Sequence, residues 1–128
     1  MKLKREIIVL FLLLALITAS LFNIAYISKL SESICLQIDF AEYYASRDDY
    51  SSALYCFDKA FSDFDRNKLY QGIFLRHSEV DSSYDCFSEL KAELLRKEAD
   101  AIPALCEKLK YHINCLADME KLKLSSIL

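Results

Sequence analysis

The stretch IIVLFLLLALITASLFNIAYI, residues 7–27, decides the fold of this chain. It holds no charged residue, and its clearly polar members are Thr18, Ser20 and Asn23. As a helix it would be about 31 Å long, close to the hydrocarbon thickness of a bilayer. The preceding MKLKRE carries Lys2, Lys4 and Arg5. Positive charge on that side predicts a cytoplasmic N-terminus and an outward C-terminal part. Tyr26 and Lys29 suit the far interface. The expected division is a basic segment at 1–6, a membrane helix at 7–27 and an extracytoplasmic helical domain at 28–128.

A cleaved secretory signal has a similar layout. Its best cleavage site would use Thr18 and Ser20, a weak small-x-small match. The apolar run also continues past them through Leu21, Phe22, Ile24 and Ile27. Cys35 lies too far from the apolar run to serve as a lipoprotein cysteine. An uncleaved signal-anchor is the expectation.

Composition narrows what the remainder does. A single glycine excludes a glycine-rich phosphate loop or dinucleotide fingerprint, which need several residues without a Cβ. It also argues against an all-β fold with many tight turns. Without Lys2, Lys4, Arg5 and Glu6, 13 basic and 18 acidic residues remain, a net charge of −5. Nucleic acid is therefore a poor partner, since it needs a basic footprint.

Hydrophobic periodicity predicts an all-α fold. A first segment continues from the anchor over 24–45, through Leu30, Ile34, Ile38 and Tyr44. Arg47, Asp48 and Asp49 break it, and either aspartate can cap the next helix. The second segment runs over 50–69, with Ala53, Phe57, Ala60, Phe61 and Phe64 on one face. Gly72 lies just beyond and is read as a C-terminal turn. The third begins at Ser78-Glu79-Val80-Asp81, a near-match to a capping box, and continues through Tyr84, Phe87, Leu90, Leu94 and Leu95. The fourth begins near Asp100 with Pro103 in its first turn, and Ala101, Leu105, Leu109 and Ile113 form its stripe.

The second and fourth segments share a small-xxx-large-xxx-large pattern: Ala53-Phe57-Phe61 and Ala101-Leu105-Leu109. This predicts an antiparallel bundle of two helical hairpins, with Ala53, Phe57, Ala60, Leu105 and Leu109 in the seams. YYASRDDYSSALYCFDKAF also resembles one tetratricopeptide repeat, though Phe87 stands where a second repeat would place its small residue. The expectation is tetratricopeptide-like packing, not a repeat array.

Three motifs carry a family resemblance: DDYSSA (48–53), FLRHSEVD (74–81) and LKYHINCLADMEKLKLSSIL (109–128). With the basic start and single span, they resemble the domain-of-unknown-function 4363 family, short single-span proteins of clostridial-type Firmicutes. The resemblance covers nearly the whole chain. Members usually carry tryptophans in and just after the second helix, where this chain has Phe64 and Gln71 and no tryptophan anywhere. Members often have an acid before the histidine, where this chain has Arg76. The resemblance implies architecture and location. It implies no activity.

Candidate chemistry is sparse. His77, Glu79 and Asp81 could bind a divalent cation weakly. The competing reading is a helix start, with Ser78 as the cap and the acids favouring the positive helix end. Alternate residues do not share a helical face, and Arg76 adds positive charge beside the set. His112 has no cysteine or serine motif around it. Cys35, Cys56, Cys86, Cys106 and Cys115 form no C-x-x-C, so buried thiols are favoured over disulfides. Tyr43, Tyr44, Tyr50 and Tyr55 either rim a small core or line a partner groove. KLKLSSIL is expected to cap the bundle, with a docking peptide as the alternative.

No nucleophile–base pair, paired-acid motif or cofactor motif stands out, so no catalytic residue and no cofactor are expected. The leading expectation is a membrane-anchored, extracytoplasmic interaction module. Its partners are the lipid bilayer and another membrane or envelope protein. The alternatives are a self-associating envelope protein and a weak divalent-metal sensor.

Overall fold

The computed structural model describes residues 2–67 and 77–127, and within these the side chains of 77–79, 120 and 123–127 lie outside the description. The fold is all-helical, with no strand among the described residues. Among the described residues four helices follow in order: α1 Lys2–Ser46, α2 Tyr50–Arg66, α3 His77–Arg96 and α4 Ile102–Ile127. α1 has 45 residues, so it is about 67 Å long. Its first half stands clear of the bundle, and the buried stripe begins at Ile27. The apolar segment and the first bundle helix are thus one unbroken rod.

The turns explain where helices stop. α1 closes on Asp48, whose φ is 60°. The Asp48 N–H donates to the Ala45 carbonyl at 3.1 Å, and the Asp49 N–H donates to the Tyr44 carbonyl at 2.9 Å. These paired bonds are a Schellman closure. α3 closes the same way on Lys97, also at φ 60°, with Lys97 N–H to Leu94 O and Glu98 N–H to Glu93 O. Both left-handed positions are filled by residues with a Cβ, at a cost of about 1–2 kcal/mol each. Asp49 also caps α2, accepting from the Ser52 N–H at 3.3 Å. One residue therefore ends α1 and starts α2.

Two helix starts differ from the sequence expectation. α3 begins at His77, so Ser78 lies inside its first turn and not at the cap. The first helical bond of α4 runs from Leu105 N–H to Ala101 O at 3.2 Å, which puts Ala101 at the cap. Pro103 sits in the first turn, where its missing N–H costs little. Gly72 lies outside the described residues.

Every helix buries residues three or four apart. α1 buries Ile27, Ser31, Ile34, Ile38, Ala41 and Ala45. α2 buries Ala53, Phe57, Ala60 and Phe64. α3 buries Val80, Ser83, Phe87, Leu90 and Leu94, and α4 buries Ile102, Cys106, Leu109, Ile113 and Leu116. Such alternation makes a narrow seam of the coiled-coil kind. α1 packs on α2 and α4, α4 packs on α3, and α2 meets α3 more loosely.

Residue size sets those separations. Ala41, Ala45, Ala53 and Ala60 let the α1 and α2 backbones approach closely. Between α2 and α3 the gap is filled by rings. Phe57, Phe61 and Phe64 meet Phe87, and Phe61 and Phe64 meet Tyr84, with centroids 5.2–6.1 Å apart. Burying a Phe stabilises by about 1.5–3 kcal/mol, while an exposed ion pair contributes about 0–1 kcal/mol. The ring cluster therefore outweighs exposed pairs such as Lys108–Glu89.

Ala53 has no exposed surface. Ala53→Leu is expected to overpack the α1–α2 seam and lower stability by about 1–3 kcal/mol. Chemical denaturation of the two proteins checks this, and an unchanged midpoint would place position 53 outside the seam.

Candidate functional site

The features with functional content are an apolar belt, an exposed face on α1, a charge cluster between α1 and α4, and a set of thiols. The belt comes first. Ile7, Val9, Phe11, Leu13, Leu16 and Phe22 each expose half or more of their surface, and they point to every side of α1. Among the described residues, α1 is the one helix long and apolar enough to cross a membrane, and its most apolar window is not buried at all.

Beyond the belt, α1 has two faces. One is the buried stripe. The opposite face carries Leu36, Phe40 and Tyr43, which are 56%, 47% and 50% exposed. Their spacing of four and three puts them in one row. Continued toward the N-terminus at the same spacing, the row passes the exposed polar Ser33 and Lys29 before it meets Phe22, Thr18, Ala15 and Phe11, which share a shallow groove. The Arg47 guanidinium lies 5.0 Å from the centre of the Tyr43 ring and ends the row. A second shallow groove, of about 290 Å³, is lined by Tyr44, Ser51, Ser52, Tyr55 and Cys56. Tyr43 and Tyr55 are exposed, while Tyr44 and Tyr50 pack partly against the core. The tyrosine group thus divides between rim and core.

The charge cluster joins α1 to α4. The Lys110 ammonium donates to Asp39 at 2.6 Å and pairs with Glu107 at 2.8 Å. Those bonds raise the Lys110 pKa above the usual lysine value. Glu42 shares the neighbourhood. Burial raises its pKa above the ordinary carboxyl value, Lys110 opposes that, and Glu107 and Asp39 add to it. An ammonium already fills the centre of these acids.

The five cysteines are free. Cys86 and Cys106 are buried, and Cys35, Cys56 and Cys115 are partly buried. Burial pushes the Cys106 thiol up to about 12 and the Cys35 thiol up to about 11. Both therefore stay protonated at neutral pH and are poor nucleophiles. His112 is partly buried, its ring edge-on to Tyr111.

The sequence-derived positions fall as follows. Ala53, Phe57, Ala60 and Leu109 are buried in the core. Leu105 is only partly buried, and the neighbouring Cys106 takes the buried place. The α4 stripe is therefore one residue later at its start, because the helix begins at Ile102 with Ala101 as the cap. His77, Glu79 and Asp81 lie in the first turns of one helix. Positions 77 and 81 share a face and position 79 lies on the opposite one, so the backbone does not bring the three together. The side chains of His77 and Glu79 lie outside the described residues, and Asp81 is exposed. Among the described residues no group of three or more His, Cys, Asp or Glu is placed to hold a metal ion. The row through Leu36, Phe40 and Tyr43 and the Lys110 cluster were not foreseen. A second apolar phase on α1 was the available signal for the first. The second joins residues far apart in the chain and left no local sign.

The chain matches no protein-family model, no curated protein and no solved structure.

The Glu42 shift has a signed consequence. A carboxyl with a raised folded pKa is harder to ionise in the fold than in the unfolded chain. Its ionisation costs nothing well below pH 4.5, where it is protonated in both states, and stability falls as pH rises from there through its folded pKa. Glu42→Gln should therefore raise the melting midpoint at pH 7 and leave it nearly unchanged at about pH 3. Thermal melts of both proteins at the two pH values check this.

Proposed function

We propose that this protein is a single-pass membrane-anchored helical module whose outward face of α1 docks an apolar helix of another envelope protein. The observation that carries the reading is the row Leu36, Phe40 and Tyr43, exposed on the side of α1 opposite the bundle. An apolar row at helical spacing on an otherwise polar domain is what a partner helix would cover. The belt at 7–22 supplies the tether, and Lys2, Lys4 and Arg5 favour an inside N-terminus with the bundle outside. An uncleaved anchor is further supported by continuity: cleavage after Ser20 would sever a helix that runs unbroken into the bundle core.

Two antiparallel hairpins in tetratricopeptide-like packing are the arrangement we propose for the bundle. Tyr26 bonds to Asn67 and Gln37 to Asp63, so α2 returns along α1. Lys110 bonds to Asp39 and Ser31 to Asn114, so α4 also runs against α1. The resemblance to the domain-of-unknown-function 4363 family fits a short single-span protein of this layout and adds no activity.

Self-association is the second reading, and one observation favours it. Phe22, Thr18, Ala15 and Phe11 share a groove on the apolar half of α1, and small residues in a membrane helix allow close helix pairing. Two copies could then pair along the apolar half of α1.

Photo-crosslinking from position 43 in the native envelope tests the lead reading. The expected product is a heavier band containing a different protein, lost in Phe40→Glu. A product containing only this chain, with tagged and untagged copies co-purifying in detergent, would favour self-association. No product in either protein would remove the docking face.

A further inference from the structure

We propose that the last turns of α4, from Lys121 to Ile127, lie in the headgroup layer of the bilayer beside α1, giving the bundle a second contact with the membrane. The inference rests on the membrane-anchor reading of α1. It begins with register. Glu42 is near Glu107, Asp39 holds Lys110, and Cys35 lies against Asn114. As numbers fall along α1, they rise along α4. Both helices advance about 1.5 Å per residue. The same pairing, continued, sets Leu122 level with Ile27 and Ile127 level with Phe22. α4 therefore runs past the first buried residue of α1 and alongside the outer end of the apolar stretch. From Leu122 to Ile127 this overlap is about 7 Å, the depth at which interfacial helices sit.

Burial on α1 agrees with that overlap. Asn23, Ile24 and Ile27 are partly or fully covered, while Phe22 and Tyr26 on the other side are exposed. Bundle and apolar stretch share this turn of helix. The chemistry of the α4 end fits the headgroup layer. It reads Lys121, Leu122, Lys123, Leu124, Ser125, Ser126, Ile127, with no acid after Glu120. Leu122 is 69% exposed within the bundle, and Lys121 is exposed. Lysine stems lie along apolar surface and carry the ammonium out to phosphate. By the same pairing Lys29, exposed on α1, stands level with position 120, just outside that overlap. The domain as a whole is acidic, so a basic tip is the part that anionic headgroups attract.

The chain has no tryptophan, so one introduced ring reports one position. Leu122→Trp and, separately, Phe11→Trp are made in the full chain. Each is reconstituted into phosphatidylcholine–phosphatidylglycerol vesicles brominated either just below the headgroup or near the acyl end. Leu122→Trp emission is expected to be blue-shifted and roughly halved by the shallow bromines, with little effect of the deep ones. Phe11→Trp should respond to the deep bromines. If Leu122→Trp emits as in water and ignores both lipids while Phe11→Trp is quenched, α4 stays in solvent and the proposal fails with the anchor intact. A blue shift insensitive to both lipids puts a second copy of the chain over Leu122 and also overturns it. If Phe11→Trp responds to neither lipid, the anchor reading itself fails.

Discussion

The first half of α1 is long and apolar enough to cross a membrane. Leu3 and the residues from Ile7 to Phe22 expose twelve large apolar side chains on a helix with no partner beside most of it. Leaving them hydrated costs on the order of 20 kcal/mol at about 1.5–3 kcal/mol per side chain. That exceeds the whole stability of a typical domain, about 5–15 kcal/mol. The belt suits an apolar surrounding, and the same helix continues from it into the protein core.

Continuity of α1 has a mechanical consequence. An unbroken helix has no soft joint, so the direction of its apolar half sets that of the bundle. The turns reinforce this. Asp49 both completes the closure of α1 and caps α2, and the α1–α2 seam is lined by alanines that leave little room for sliding. The rings between α2 and α3 then fix the second pair of helices against the first. Stability comes from this close packing, with the charges at the rim contributing less.

Much of this was legible in the residues. Four helices, the break at Arg47–Asp49 and the buried places of Ala53, Phe57, Ala60 and Leu109 follow from spacing and side-chain size. Leu105 misled because Ala101 looks like the first small residue of a stripe, while its carbonyl in fact opens the helix as a cap. Ser78, read as the cap, lies one residue inside α3 as described. The grouping of Asp39, Glu42, Glu107 and Lys110 depends on how α1 lies against α4, which no local pattern encodes. The exposed row on α1 went unread because the stripe was traced through Leu30, Ile34, Ile38 and Tyr44, which left Leu36 and Phe40 unassigned.

Membrane fractionation with external proteolysis tests the central claim most directly. Intact cells carrying a C-terminally tagged chain are treated with protease, and a parallel membrane sample is washed in alkaline carbonate. The account predicts that the chain survives the wash in the membrane pellet and that the protease removes the tag. Release of the full-length chain by carbonate, or a tag that outlasts protease on intact cells and is cut once they are opened, would contradict it.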